Sequence, residues 1–556
     1  MTSLLNNVLF WTAVIFCVIS AYKVYLSRQM DGFGAKEWVI SEKTYRILFA
    51  LAILAAVFVR VYKFGQVPGG FNQDGAMAAV DAKALAEYGT DRFGMRYPVH
   101  LTAWKYSQMA SLLSYLMIPF VKCFGVSPIA MRLPLLLASA AGLVCLYGFT
   151  KDVFGKEIAL IVLWFAAINP WHILQSRWAL EANLYPHFFM FGVFFLNRAI
   201  MRMEKRKRYL ILCMMMFGLC MYCYGIAIYT MPVFLAVACI YLLAAKKISL
   251  ADAALSAAVY LFVAWPFIAV MAINFFQWET IETPWFTLPY FSESVRSNDI
   301  LFFSSNMLSQ LIENGKAMMG VTLLQTKDLP WNDVRNFGTM YLFSMPFAVL
   351  GLCGLFYEFG KKTGAVLLAF FLGTGVWCGL TTNAVNVNRM NIIYYPIIIL
   401  IGIGIYDVLR MISLPRLKRG IAIAYGVMFL LFVREYFTGF AADVSAQFEE
   451  NLGDAFTSLK ESDAEKIYIT TSNQMVSEIL MMFWCDIDAE YFQGVKTPEG
   501  ELPYAEKYRF HAPGELTVDT SEDADYLITP GELEFFDESL YAWEQFGGYY
   551  VVTKKQ

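Results

Sequence analysis

Apolar runs of bilayer-spanning length recur along the first 440 residues, and nothing constrains this chain more. A helix needs about 20 consecutive apolar residues to cross the hydrocarbon core. Candidate runs start near Leu4, Tyr45, Arg132, Glu157, Asn183, Tyr209, Tyr229, Asp252, Thr339, Gly364, Asn391 and Gly420. Composition agrees: 58% of the residues are hydrophobic and only 16% charged, against about 25% charged in soluble domains. The first run, about Leu4 to Leu26, lacks a basic leader and a small-residue cleavage site, so it reads as a retained span. The expected class is a polytopic α-helical membrane protein with a bundle of about twelve transmembrane helices.

The net charge of −3 conceals two opposed regions. Residues 441–556 hold 24 Asp and Glu against 7 Lys and Arg, leaving 22 acids against 36 bases in residues 1–440. No separate basic domain exists for nucleic acid to bind. Basic residues cluster between runs at Tyr22–Arg46, Asn197–Tyr209, Lys246–Lys247, Lys361–Lys362 and Arg410–Arg419. Their alternation places these loops in the cytoplasm. The opposite loops, 64–131, 174–183, 274–338 and 382–390, then face outward, as does the acidic tail. Trp104–Phe124 would reverse every later loop if it spanned, so it is expected as an amphipathic helix on the outer interface.

The tail alternates strand and helix patterns. Lys466–Thr471, Ala489–Phe492, Asp525–Thr529 and Tyr549–Thr553 read as strands and Asn473–Trp484 as a helix. A small α/β domain over 441–556 follows, joined to a membrane domain over 1–440. Of the ten cysteines, Cys220 and Cys223 have no second ligand pair and read as packing residues.

Chemistry in such a chain belongs where polar groups resist the bilayer. The first outer loop carries Asp74, Asp81, Glu87 and Asp91. Asp74 precedes a helical pattern starting near Gly75, so it is either a helix cap or a general base. Arg177 and Glu181 are spaced to pair across one helical turn, either as a structural pair or as part of a site. His172 and His187 read as interface-facing histidines rather than metal ligands. Arg389 precedes an apolar run, either snorkelling at the interface or clamping a phosphate; Arg132 sits likewise at an outer helix start. Trp278, Trp285, Tyr290 and Phe291 in the 274–338 loop are interface anchors or the edge of an acceptor site.

Four stretches carry a resemblance: PGGFNQDGAMAAVDAKALAEYGTDRFGMRYP, FGVSPIAMRLPLLLASAAGLVCLYGFTKDVFG, INPWHILQSRWALEANLYPHFF and NRMNIIYYPIIILIGIGI. In this order they resemble the GT-C glycosyltransferases of the protein O-mannosyltransferase and aminoarabinose-transferase type, family 39. The resemblance covers about residues 45–240 well and 339–437 loosely. It implies a GT-C bundle with an outward catalytic cavity. It also implies inverting transfer of a monosaccharide from a polyprenyl-phosphate donor to a hydroxyl on an extracytoplasmic protein, lipid or cell-wall glycan.

By position, the resemblance makes Asp74 the catalytic base. It places Arg132, Arg177, Glu181 and Arg389 at the donor phosphate or substrate. The family often has Glu where this chain has Gly75. That departure leaves a divalent metal open as the only cofactor, with Asp81 or Glu87 as supporting acids. The expected setting is a plasma membrane, bacterial rather than organellar. The competing readings are a membrane transporter of a lipid or solute, against which no repeat between the halves is found, and a scaffold with an acidic partner-binding tail.

Overall fold

The structure, a computed structural model, describes residues 2–29, 39–104, 107–292, 307–412, 414–489 and 506–555. Along the chain run α1 (Thr2–Gln29), α2 (Glu42–Val61), α3 (Gln73–Tyr88), α4 (Leu112–Phe124), α5 (Pro128–Phe154), α6 (Lys156–Ile168) and α7 (Pro170–Arg177). Then come α8 (Tyr185–Met201), α9 (Arg206–Cys220), α10 (Ala227–Ala244), α11 (Leu250–Phe276) and α12 (Met307–Thr322). The last of the bundle are α13 (Met345–Glu358), α14 (Thr363–Thr381), α15 (Tyr394–Met411) and α16 (Pro415–Glu435).

Each expected run is helical, but fewer than twelve are long spans. Among the described residues eight helices are long and apolar enough to cross, and a ninth is the α6–α7 pair, bent by 56°. The remaining three runs form α8, α9 and α13, of 17, 15 and 14 residues. The bend has a local cause. Asn169 is extended, Pro170 occupies the first turn of α7, and the Asn169 side chain accepts from His172 N at 3.0 Å, so a new helix starts there.

The helix expected over Trp104–Phe124 is shorter than its apolar run. Strands β1 (Leu101–Ala103) and β2 (Ser107–Met109) pair as an antiparallel hairpin, with Trp104 at φ 61° where the strand turns. Residues 105–106 lie outside the described residues. Helix α4 then has 13 residues, roughly 20 Å at 1.5 Å per residue, too short for a core of about 30 Å.

The chain forms two compact units. The first comprises Met1–Phe64, Leu135–Ile268 and Ser294–Phe440; the second comprises Gly65–Pro134, Ala269–Glu293 and Ala441–Gln556. In the second unit β3 (Ile281–Glu282) and β4 (Thr287–Leu288) form a small hairpin. Helices α17 (Ala441–Gln447), α18 (Glu450–Leu459) and α19 (Gln474–Trp484) accompany a five-stranded sheet. Its strands are β5 (Lys466–Thr470), β6 (Tyr508–His511), β7 (Ala524–Ile528), β8 (Tyr541–Phe546) and β9 (Tyr549–Lys554), in the order β6-β5-β7-β9-β8. β5 lies parallel to β6 and β7, and β9 runs antiparallel to both β7 and β8. The mixed sheet confirms the α/β pattern of the tail. The strand expected over Ala489–Phe492 lies, except for its first residue, outside the described residues.

The first unit is organised around α15, the most buried of the spans, with 89% of its apolar stretch inside the protein. Its glycines permit this. A Cβ on Gly404 would overlap the Phe347 carbonyl oxygen of α13, and a Cβ on Gly351 of α13 would overlap the Leu400 carbonyl oxygen of α15. The two backbones touch, as small residues allow between membrane helices. Neither clash is relieved by rotating a side chain. Gly351→Ala and Gly404→Ala should each therefore cost about 1–3 kcal/mol. In thermal melts of the detergent-solubilised protein both variants should melt lower than wild type. Gly373→Ala on α14, whose Cβ would meet nothing within 4 Å, should melt at or slightly above wild type. Equal midpoints for all three variants would remove the close-contact account.

Candidate functional site

The expected site residues fall into the two units. Asp74, Asp81, Glu87 and Arg132 belong to the second; Arg177, Glu181 and Arg389 belong to the first.

In the second unit the loop Pro68–Asn72 delivers the chain to α3. Arg132 is 1% exposed, and its Nη2 donates to the Pro68 and Gly70 carbonyl oxygens at 3.0 and 2.8 Å. Gly70 sits at φ 61°, where its missing side chain leaves room for Phe448. Asn72 then starts the helix, accepting from Asp74 N at 2.8 Å through its side chain. The cap is therefore Asn72. Asp74 lies inside the first turn, half-buried, where the helix dipole favours negative charge. Capping, one of two readings of Asp74 from sequence, does not need this residue.

The supporting acids do not gather around Asp74. Asp81 and Glu87 lie on the same helix seven and thirteen residues further on, about 10 and 20 Å along its axis. Asp81 is buried and already engaged: Arg92 Nη1 donates to it at 2.6 Å and Arg92 N at 3.1 Å. Arg92 Nη2 also donates to the Thr102 carbonyl at 2.6 Å, so the pair ties α3 to β1. Glu87 is exposed. Among the described residues no group of three or more His, Cys, Asp or Glu is placed to hold a metal ion.

Next to this pair Asp91 shapes a tight turn, its Oδ1 accepting from Phe93 N and Met95 N, both at 2.9 Å. Burial, then the nearby Asp81 charge, pushes its carboxyl up to about 7. Lys83, on the same helix, donates to the Asp486 carboxylate at 2.8 Å and to the Asp486 and Ile487 carbonyls at 3.0 and 2.8 Å.

In the first unit Arg177 is the last residue of α7 and fully buried. Its Nη1 donates to the Val59 and Arg60 carbonyls at 3.1 and 2.7 Å and its Nη2 to the Lys63 carbonyl at 3.1 Å. Its Nε reaches the Tyr436 hydroxyl at 3.1 Å, and the guanidinium lies 5.2 Å from the Phe437 ring centre. Arg177 thus satisfies the carbonyls left open at the end of α2. The helical turn that would set Glu181 four residues along one face from Arg177 is not built. α7 stops at Arg177, Trp178 is extended, and Glu181 opens a short 3-10 helix, Glu181–Asn183.

Asn391 joins this segment to α15. Its Nδ2 donates to Gln175 Oε1 at 2.9 Å, the Ala182 carbonyl at 3.1 Å and Asn183 Oδ1 at 3.4 Å, while its Oδ1 accepts from Trp171 Nε1 at 2.7 Å. Sequence reading passed over this amide; the Asn-rich stretch NAVNVNRMN before an apolar run was its only trace. Arg389, two residues earlier, is half-buried. Its Nη1 reaches Thr382 Oγ1 at 3.4 Å, and among the described residues no carboxylate lies within ion-pair distance of it.

The histidines expected at the interface are in the core instead. His172 and His187 are both fully buried. The Tyr395 hydroxyl bonds His172 Nε2 at 3.1 Å and His187 Nδ1 at 2.7 Å, and Arg60 Nη2 lies 2.9 Å from His172 Nδ1. His172 lies on α7, just after the bend at Asn169, and His187 in the first turn of α8.

Residues 109–275 match the dolichyl-phosphate-mannose-protein mannosyltransferase family. The matched segment includes Arg132, Arg177 and Glu181 and excludes Asp74 and Arg389. No curated protein matches the sequence significantly. Among solved structures the chain is similar to ArnT from Cupriavidus metallidurans bound to undecaprenyl phosphate. That likeness has 10% identity, covers 93% of this chain and 100% of that one, and gives a TM-score of 0.52. A weaker likeness, to the Archaeoglobus fulgidus oligosaccharyltransferase in the apo form, has 13% identity, covers 81% and 64% of the two chains and gives a TM-score of 0.48. The first likeness establishes the fold. The chain is a multi-pass membrane protein with a GT-C-type bundle and a small C-terminal sheet domain.

The turn at Asp91 makes a pH-dependent contribution with a definite sign. Its carboxyl is raised to about 7 in the folded chain against about 3.9 when unfolded. Between these values the folded state holds the extra proton, so stability falls as pH rises from about 4 to 7. Asp91→Asn keeps the acceptor oxygen and removes the titration. Its melting temperature relative to wild type should rise between pH 5 and pH 8. A constant difference across that range would show that Asp91 does not titrate there.

Proposed function

We propose that the chain is a membrane glycosyltransferase. It moves a monosaccharide from a polyprenyl-phosphate donor to a hydroxyl of an extracytoplasmic protein, lipid or cell-wall glycan, with inversion. The observation that carries the reading is the match of residues 109–275 to a polyprenyl-phosphate-mannose-dependent transferase family. A fold shared over 93% of the chain with an enzyme crystallised with undecaprenyl phosphate supports it. The charge alternation of the loops supports an outward position for residues 441–556, in a bacterial plasma membrane.

In this reading Asp74 is the general base. It takes the proton of the acceptor hydroxyl as the new bond forms between that oxygen and the anomeric carbon. The bond from the anomeric carbon to the phosphate oxygen breaks in the same displacement, and the electron pair leaves with the polyprenyl phosphate. Arg389 is the phosphate contact. Its guanidinium offers the planar donor fork that suits a phosphate, and charge developing on the leaving oxygen is stabilised electrostatically. Glu181 contributes to substrate binding. Arg132 and Arg177 act as positioning residues, through the loop before Asp74 and through the end of α2. A divalent metal would need donors beside Asp74. Among the described residues of the second unit Gly75 offers none and Asp81 is held by Arg92, so this donor set does not fit a metal and no step runs through one.

Two measurements test the proposal. Lipid mass spectrometry on cells with wild-type protein, a deletion or Asp74→Asn should show the same polyprenyl-phosphate monosaccharide accumulating in both mutants. If neither strain changes, the donor assignment fails and transport becomes the better reading. With purified enzyme, Asp74→Asn should lower turnover by about 10²–10⁴-fold while costing no more stability than the about 0.3–1 kcal/mol of a charge at a helix N-terminus. Arg389→Gln should raise the KM for the donor, and Arg389→Lys should recover only part of it. Normal turnover in Asp74→Asn would remove the base from this residue.

A further inference from the structure

Apolar side chains gain little by leaving lipid for one another. A cavity between membrane helices is therefore lined by surfaces that accept an acyl chain, and the polar group at its mouth selects the headgroup. The first unit has such a cavity, of about 680 Å³, among α1, α13 and α16, within the ~300–1,000 Å³ of small-molecule sites. Phe16, Phe343, Phe347, Leu417 and Ile421 line it, with Arg416 as the only charged lining residue among the described residues. The one hydroxyl pair near the wall is closed on itself, Ser344 Oγ to Tyr425 Oη at 2.8 Å.

Arg416 is exposed at the start of α16, and among the described residues no carboxylate lies within ion-pair distance of it. Lys418 and Arg419 are exposed beside it in the chain. This basic segment follows α15 and is one of those the charge alternation places in the cytoplasm. Anionic lipids of the cytoplasmic leaflet attract such cations.

We propose that this cavity binds an anionic glycerophospholipid, one acyl chain lying among α1, α13 and α16 and the phosphate on Arg416. The lipid is a bound partner of the bundle, distinct from any substrate. Its occupant carries its charge at the basic, cytoplasmic end of α16, whereas the transferase reading puts the donor phosphate at the outward face.

The test is native mass spectrometry of the full chain in detergent with equimolar phosphatidylglycerol and phosphatidylcholine. Wild type should retain phosphatidylglycerol about fivefold over phosphatidylcholine, the effect of one interfacial cation. Arg416→Gln should bring the ratio close to one. Gly420 also lines the cavity, and a Cβ there meets nothing within 4 Å. Gly420→Phe should therefore reduce retention of both lipids at unchanged melting temperature. A wild-type ratio near one, an unchanged ratio in Arg416→Gln, or undiminished retention in Gly420→Phe would each overturn the proposal. So would undecaprenyl phosphate displacing phosphatidylglycerol in wild type but not in Arg416→Gln, which would make the occupant the donor lipid.

Discussion

The bundle depends on a place where two helices meet without side chains between them. Gly351 and Gly404 let the backbones of α13 and α15 touch, and Gly402 of α15 leaves room for Val162 of α6. With its glycines turned to both neighbours, α15 is enclosed over most of its length. The helix is entered through Asn391–Ile393, so this placement also sets Asn391. That amide holds Trp171, Gln175 and the 182–183 segment. Glycine contacts deep in the bundle thereby fix where the loops carrying Glu181 and Arg389 begin.

Arginine has an unexpected role here. Arg60 donates to the Ala166 and Ala167 carbonyls near the end of α6. Arg177 does the same for the end of α2, and Arg132 for the loop before α3. Helix ends leave carbonyls without intrahelical partners, and inside a membrane bundle water is scarce to satisfy them. The guanidinium fork supplies several donors on one rigid plane. Two of the arginines that sequence reading placed at the donor phosphate or substrate, Arg132 and Arg177, are thus engaged with backbone, while the Arg389 guanidinium has no such commitment.

The fold was readable because the bilayer sets a length and the apolar runs match it. Every run became a helix, and the tail strands at Lys466, Asp525 and Tyr549 fell where alternation put them. What sequence missed depends on contacts distant in the chain. The stretch Trp104–Phe124 reads as one helix by composition, yet its first residues, Ser107–Met109, fold back as a strand on Leu101–Ala103. His172 and His187 look like interface residues until α7 and α8 bring them together on the Tyr395 hydroxyl of α15. In FNQDG both Asn72 and Asp74 are capping residue types, and the pattern alone does not choose; the backbone chose Asn72. Asp81 looked available to Asp74 until its partner Arg92, eleven residues on, took it.

The acidic tail is more than an appendage. In the second unit Phe71, just before α3, packs on Phe483 and Trp484 of α19, with ring centres 4.4 and 5.4 Å apart. The Lys83 ammonium ends in the Asp486–Ile487 backbone. Cutting the chain after Phe440 would strip α3 of its aromatic seat and strand a buried cation. The helix bearing Asp74 would then lose its support although the whole bundle remained. A truncated chain would be expected to keep its membrane helices while α3 loses its order, a defect of scaffolding within the second unit. The two ends of the sequence therefore have to be inherited, and engineered, as one piece.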